Sequence, residues 1–327
     1  MRVGLVGAGR IGRVHARSIA DNPATRLVIV SDPNVAAAAE VADRYGARVA
    51  GNADEVCAAD DVDAVIICSP TPLHADHVYE AAANGKAVLC EKPVASSYAE
   101  AVALEHRLAG LDARVMVGFN RRFDPSFAHA RSTVEQGGVG VVEQVTVISR
   151  DPAAPPREYI LGSGGIFKDM TIHDFDMVRF LLGDVESVFS TGQNLDPALA
   201  DTEGFDAAVT VLRTSSGKIA TITNSRHCAV GYDQRLEVFG TEGSIFVENV
   251  LPHAARVSNA SVSQAQARYL DFFLERYREA YSVELAAFVS AVDGERPFSP
   301  SLEDGTAALR LAEAADESAH TGHTVVI

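Results

Sequence analysis

The residues of this 327-residue chain best suited to chemistry stand in Asp169-Met170-Thr171-Ile172-His173-Asp174-Phe175-Asp176. On a helix, offsets of four and seven place Asp169, His173 and Asp176 along one face, while Ile172, Val178, Phe180 and Leu181 point elsewhere. A carboxylate one turn from an imidazole is a base with its orienting partner. Gly162-Ser163-Gly164-Gly165, just before it, lets the backbone turn tightly into the helix and leaves room for a ligand. An ordinary helix with solvated acids and one satisfied histidine fits the same octapeptide, so the choice rests on the surrounding elements.

The first of these is a delivery device. Residues 2–6 are a short apolar run, expected as a buried strand, that leads into Gly7-Ala8-Gly9-Arg10-Ile11-Gly12 and a helical pattern through Ala20. A second apolar run, residues 27–30, ends at Ser31-Asp32, about twenty positions beyond Gly12. Strand, glycine turn, helix and acid suit a dinucleotide. The glycines permit close approach to a pyrophosphate, the helix N-terminus offers free amides, and the acid can take ribose hydroxyls. A glycine-rich turn without a ligand is the alternative. Asp32 would also repel a 2′-phosphate, and no arginine occurs in Pro33-Asn34-Val35, which favours NAD over NADP.

Alternation of strand and helix continues to residue 118, with helices expected at 35–45, 54–59, 75–84 and 97–109 and strands at 47–50, 64–68, 87–90 and 114–118. That pattern predicts a doubly wound parallel sheet of Rossmann type over residues 1–119. Ligands sit beyond the carboxyl ends of such strands, where the 69–74 loop and Glu91-Lys92-Pro93 fall. Topology thus puts Lys92 near the cofactor, with a surface lysine that merely precedes a proline as the other reading. From Asn120 the pattern changes. Strands are expected at 143–150, 185–191, 206–214, 218–225, 235–240 and 244–248, and helices at 126–136, 271–293 and 301–319. The fold class is therefore α/β followed by α+β, residues 120–327 forming a mainly antiparallel open sheet covered by helices. Val209, Val211 and Ile222 are expected on its outward face, which a second layer or another subunit must cover.

The totals exclude several classes. A 47% hydrophobic, 22% charged composition is that of a folded globular protein. A formal net charge of -16 argues against nucleic acid or an anionic membrane as partner and leaves small molecules and protein subunits. Cys57, Cys68, Cys90 and Cys228 show neither a CxxC pair nor a metal-ligand spacing. Asp169 and His173 lack further ligands of suitable type, so no metal is expected. With no apolar segment of signal or membrane-spanning length, a cytoplasmic protein is expected.

A bound dinucleotide, a lysine and an Asp/His pair are what alcohol oxidation needs. As hydride leaves carbon, the hydroxyl proton must go to a base that titrates near the working pH, and imidazole does so at about 6.5 in water. His173 suits the role of base, Asp169 would orient it, and Lys92 would be the cation that favours the partly deprotonated alcohol.

GAGRIG with His15, the Ser69 to His74 loop, Glu91-Lys92-Pro93, and Gly164-Gly165 leading to Asp169 and His173 together resemble the Gfo/Idh/MocA oxidoreductase family. The stretches Gly118 to Pro125, Tyr232 to Gly240 and Phe272 to Tyr277 are similar to its inositol 2-dehydrogenase branch. The resemblance implies Lys92, Asp169 and His173 as catalytic triad and myo-inositol as polyol substrate, oxidised to the 2-ketone. It implies NAD held by Gly7, Gly9, Arg10, Ile11, Gly12, Asp32, Ser69, Thr71, His74 and Glu91. Lys92, Arg122, Asp176 and Tyr232 are implied as polyol contacts, and the open sheet as subunit interface in a homotetramer. Another inositol isomer or an aldopyranose is the near alternative, because discrimination among epimers rests on a few hydroxyl contacts. An NAD-dependent glycosidase and a non-catalytic dinucleotide sensor are the alternatives of another class.

Overall fold

The computed structural model describes residues 1–199, 201–202 and 204–327. It divides into two compact units, Met1–Asp124 with Glu279–Arg310, and Pro125–Arg278 with Leu311–Ile327.

In the first unit the chain runs β1 (Arg2–Val6), α1 (Arg10–Asp21), β2 (Arg26–Ser31), α2 (Val35–Tyr45), β3 (Arg48–Val49), α3 (Ala53–Ala58), β4 (Ala64–Ile67), α4 (His74–Ala83), β5 (Ala87–Cys90), α5 (Tyr98–Leu108) and β6 (Arg114–Val117). The strands form one parallel sheet in the order β3-β2-β1-β4-β5-β6. This is the doubly wound arrangement, whose reversal of order lies between β1 and β4. β4 and β5 are buried along their whole length, as strands covered by helices on both faces must be. Side-chain caps start the helices: Asn52 accepts from the Glu55 amide at 2.9 Å and Ser97 from the Glu100 amide at 3.2 Å.

The core of this unit contains Leu5, Ile66, Leu89 and Met116, and also Leu285, Ala287 and Phe288 from far along the chain. Burying each large aliphatic or aromatic side chain there stabilises by about 1.5–3 kcal/mol. That explains a departure from expectation: residues 279–310 group with the nucleotide unit although the sequence reading assigned them to the second domain. The single helix expected at 271–293 is two, Phe273–Arg276 and Arg278–Val292, and the break falls where the chain passes from one unit to the other.

The second unit begins with α6 (Pro125–Glu135), β7 (Val142–Arg150), α7 (Arg157–Gly162), a π turn (Phe167–Thr171) and α8 (Ile172–Leu182). It continues with β8 (Val185–Gln193), β9 (Ala207–Thr214), β10 (Ile219–Ser225), β11 (Asp233–Gly240), β12 (Gly243–Val247), and a short exposed hairpin of β13 (Arg256–Val257) and β14 (Ala265–Gln266). In the numbering of helices, α9 is Phe273–Arg276 and α10 is Arg278–Val292; α11 (Leu302–Thr321) crosses from one unit to the other, and β15 (Val325–Val326) ends the chain. The large sheet has the order β12-β11-β7-β10-β9-β8-β15 and is antiparallel except for the β7–β10 pair.

Strand register decides which side chains face out. Val209 and Val211 are 44% and 38% exposed, as expected, but Ile222 is fully buried. It lies directly opposite Thr210, whereas Val211 lies opposite Thr221, so the pairing puts Ile222 on the inner face. Direct cross-strand pairing instead groups Phe189, Val209, Val211, Ile219, Phe239 and Phe246 on the outer face, all exposed. α8 covers the inner face and is pinned to it by Asn224, which donates to Asp174 Oδ2 at 2.7 Å and accepts from Thr171 Oγ1 at 2.9 Å. Among the described residues no helix is long and apolar enough to cross a membrane.

Candidate functional site

The two units each hold part of the chemistry. In the first, β1 ends in a turn that only glycines can make. Gly7 has φ +97°, and a Cβ there would lie 2.5 Å from the Cys68 carbonyl oxygen. A Cβ on Gly12 would fall on the Gly7 carbonyl oxygen, while one on Gly9 would meet open space. α1 starts at Arg10 with no side-chain cap and no acid in its first turn, so its leading amides are open to an anion. The cradle fits a dinucleotide pyrophosphate.

Asp32, at the end of β2, also braces this turn. Its Oδ2 accepts from the Ala8 amide and its Oδ1 from the Asn34 amide, both at 2.7 Å. Two amides use half of the lone-pair directions of a carboxylate, which leaves the rest for ribose hydroxyls. Asp32→Ala should therefore lower the NAD:NADP ratio of kcat/KM by about tenfold or more, since it removes the charge that repels a 2′-phosphate. An unchanged ratio in steady-state assays with both cofactors would show that the ribose contact lies elsewhere.

At the ends of β4 and β5, Ser69 and Thr71 are half-buried, and Ser69 Oγ bonds His77 Nδ1 at 3.0 Å. The ring of His74 is buried, with Nδ1 2.7 Å from the Pro93 carbonyl and Nε2 2.7 Å from the Ser69 carbonyl. Burial pulls its pKa down, and the two carbonyl bonds oppose that shift. Both nitrogens face backbone, so His74 ties the Ser69 loop to Glu91-Lys92-Pro93. Glu91 is likewise turned inward: Oε1 is 2.7 Å from His15 Nε2, and Oε2 accepts from the Lys92 amide at 3.3 Å. Lys92 is half-buried on that loop, and Arg122 donates to Asp304 Oδ2 at 3.1 Å.

Sequence reasoning missed Glu284 of α10. It is fully buried, and neither carboxyl oxygen has a hydrogen-bond partner among the described residues. Burial, with the charge of Glu91 second, raises its pKa well above the ordinary value. The folded protein then keeps a proton that the unfolded chain releases, so stability falls as the pH rises from the ordinary carboxylate range toward the folded pKa. Glu284→Gln removes this term. Its melting temperature relative to the parent should climb as the pH rises above the ordinary carboxylate range. A constant difference in thermal scans would contradict a protonated Glu284.

In the second unit the expected uniform helix is corrected. Asp169 lies in the π turn and His173 in α8, so offsets of four and seven do not describe one face. Asp169 is positioned from outside its own segment: Oδ1 accepts from Tyr159 Oη at 2.9 Å and Oδ2 from Arg226 Nη1 at 3.1 Å. The sequence marks neither partner, although Arg226 directly follows a strand of mixed apolar and polar residues. Solvated acids are excluded for the other two positions, because Asp174 and Asp176 are both buried. His173 is half-buried. Tyr232 is buried, edge-on to Phe272 and Tyr277 with ring centroids 6.0 Å from each. The arrangement offers an oriented carboxylate, an imidazole and a tyrosine on one unit, and a dinucleotide cradle with a lysine on the other. Among the described residues no cluster of three metal-binding side chains occurs.

Residues 1–119 match the model of the Gfo/Idh/MocA oxidoreductase family with NAD-binding Rossmann fold, and residues 127–246 match the Gfo/Idh/MocA C-terminal domain. The chain is 46% identical over 320 residues to an inositol 2-dehydrogenase of Rhizobium meliloti, covering 97% of this chain and 96% of the relative. A crystal structure of a myo-inositol dehydrogenase from Corynebacterium glutamicum superposes with a TM-score of 0.97 at 45% identity, covering 100% and 98% of the two chains. One from Lactobacillus casei in complex with NAD(H) and myo-inositol gives 0.90 at 26% identity, covering 100% and 96%. With nearly the whole length matched, the chain belongs to the Gfo/Idh/MocA oxidoreductase family, and residues 1–119 are that family's NAD-binding Rossmann domain.

Proposed function

We propose that this chain is an NAD-dependent inositol 2-dehydrogenase, oxidising the axial alcohol of myo-inositol to the 2-ketone as NAD is reduced to NADH and a proton is released. The observation that carries the reading is Asp169, a carboxylate fixed at both oxygens in the same unit as His173, in a chain alike over its length to an inositol 2-dehydrogenase. Bound NAD supplies the hydride acceptor. Gly7, Gly9, Arg10, Ile11 and Gly12 hold its pyrophosphate, Asp32 its ribose, and the rim set by Ser69, Thr71, His74 and Glu91 completes the cradle. Lys92 lowers the cost of charge on the substrate oxygen, and the His173 imidazole takes the hydroxyl proton as the C–H bond breaks. Asp169 orients the imidazole and stabilises its protonated form. Arg122, Asp176 and Tyr232 fix the remaining hydroxyls of the ring.

The outer face of the second unit's sheet carries Phe189, Phe239 and Phe246 exposed, which supports a homotetramer, and four free buried cysteines suit a reducing cytoplasm. NADH formation with purified protein and myo-, scyllo- and chiro-inositol, glucose, xylose and galactose tests the substrate. Turnover strongest on myo-inositol supports the reading; turnover strongest on another polyol moves the substrate. Silence with NADH bound would leave a glycosidase or a sensor. Mass photometry tests the tetramer.

A further inference from the structure

β10 delivers two buried side chains to the segment that carries Asp169 and His173. Asn224 ties Thr171 and Asp174 together, and Arg226, the next residue but one, reaches Asp169. Arg226 is fully buried, and its backbone amide donates to the Asp206 carbonyl at 2.8 Å. Its guanidinium meets one carboxylate, while Nε and Nη2 have no hydrogen-bond partner among the described residues. Guanidinium stays charged at any working pH. A buried cation with a single anionic partner is a poor way to stabilise a fold, since an apolar side chain of like volume does as well or better. The arrangement makes sense for what it does to Asp169.

We propose that Arg226 is a positioning residue for the oxidation: with Tyr159 it clamps Asp169 as an ionised carboxylate of fixed orientation, so that Asp169 can hold the imidazole of His173 in the state that accepts a proton. The proposal rests on the reading of Asp169 and His173 given above. Tyr159 takes Oδ1 and Arg226 takes Oδ2, which removes rotation of the carboxylate about its own axis. Without Arg226 the carboxylate loses its charged partner at Oδ2, while Oδ1 keeps the bond from a half-exposed phenol. Arg226 acts through Asp169 and touches no reacting atom.

The test uses the full-length protein with NAD and myo-inositol, either unlabelled or deuterated at C2, and counts folded sites by NADH fluorescence titration. Arg226→Gln should lower kcat per NADH-binding site by about 10- to 100-fold with KM changed less than about threefold, the loss expected when a charged hydrogen bond is removed. The deuterium isotope effect on kcat should rise at the same time, because hydride transfer becomes the slow step. Arg226→Lys should recover part of the rate. Tyr159→Phe, which removes only the hydroxyl of a half-exposed ring, should show a smaller fall with the same rise in isotope effect. In the background of Asp169→Asn, adding Arg226→Gln should cost nothing more. A fall that tracks only the number of NADH-binding sites, with the isotope effect unchanged, overturns the proposal and leaves Arg226 a structural residue. Asp169→Asn at the parent rate overturns the reading of Asp169 itself. Slow Asp169→Asn alongside parent-like Arg226→Gln and Tyr159→Phe overturns this proposal alone.

Discussion

His173→Ala lowers kcat by about 10²–10⁴-fold, the contribution of a positioned general base, while NADH affinity stays within about threefold. The separation follows from chain organisation. His173 belongs to α8 of the second unit, and the glycine turn, Asp32 and the rim loops all belong to the first. Its ring is half-buried, so truncation leaves no large cavity, and the helix is held by Phe175, Val178 and Leu181, all buried. Stopped-flow and fluorescence titration on one preparation read both quantities. A variant with the parent's kcat would remove His173 as base, and one that lost NADH binding in proportion would make its role structural.

Gly12→Ala should weaken NADH binding by about 10- to 100-fold, the equivalent of the 1–3 kcal/mol that overpacking costs. The added methyl would land on the carbonyl oxygen of Gly7. That oxygen cannot step aside, because the Gly7 amide is bonded to the Ser31 carbonyl at 2.8 Å and its α-carbon lies against the Cys68 backbone. The turn must then distort where the pyrophosphate binds. Gly9→Ala differs in cause, since its Cβ meets nothing within 4 Å of protein and only a bound ligand would feel it. Isothermal titration with NADH reads the affinities, and thermal melting without NADH distinguishes the two, Gly12→Ala melting below the parent and Gly9→Ala with it. Parent-like affinity in Gly12→Ala would mean that the turn yields more easily than its bonds indicate.

The sequence carries the first 119 residues almost completely, because strand, glycine turn and helix are local patterns and parallel strands are continuous apolar runs, whereas nothing local assigns residues 279–310 to the same unit. Asp32 and the rim loops could be placed from topology alone. What the linear pattern does not contain is side-chain direction across elements. His74 and Glu91 look like ligand contacts by position, yet their polar atoms turn to Pro93, Ser69 and His15. The π turn before α8 leaves no compositional mark, so Asp169 and His173 read as one even helix when they are not. Ile222 was assigned to the wrong face because alternation fixes two faces but only pairing with Thr210 says which is inward. Arg226, Tyr159 and Glu284 lie 57, 10 and 193 residues from the side chains they serve or perturb, Asp169, Asp169 and Glu91 (226 − 169, 169 − 159 and 284 − 91). Only the fold brings them there.

The measurement that tests the account most directly is a single turnover of the purified protein with NAD and myo-inositol deuterated at C2, followed by mass spectrometry of both products. The account predicts that the deuterium appears in NADH and that the inositol product is the 2-ketone without it. Deuterium retained in the sugar, NADH formed without label, or no NADH from a protein that binds the cofactor would contradict oxidation at that carbon.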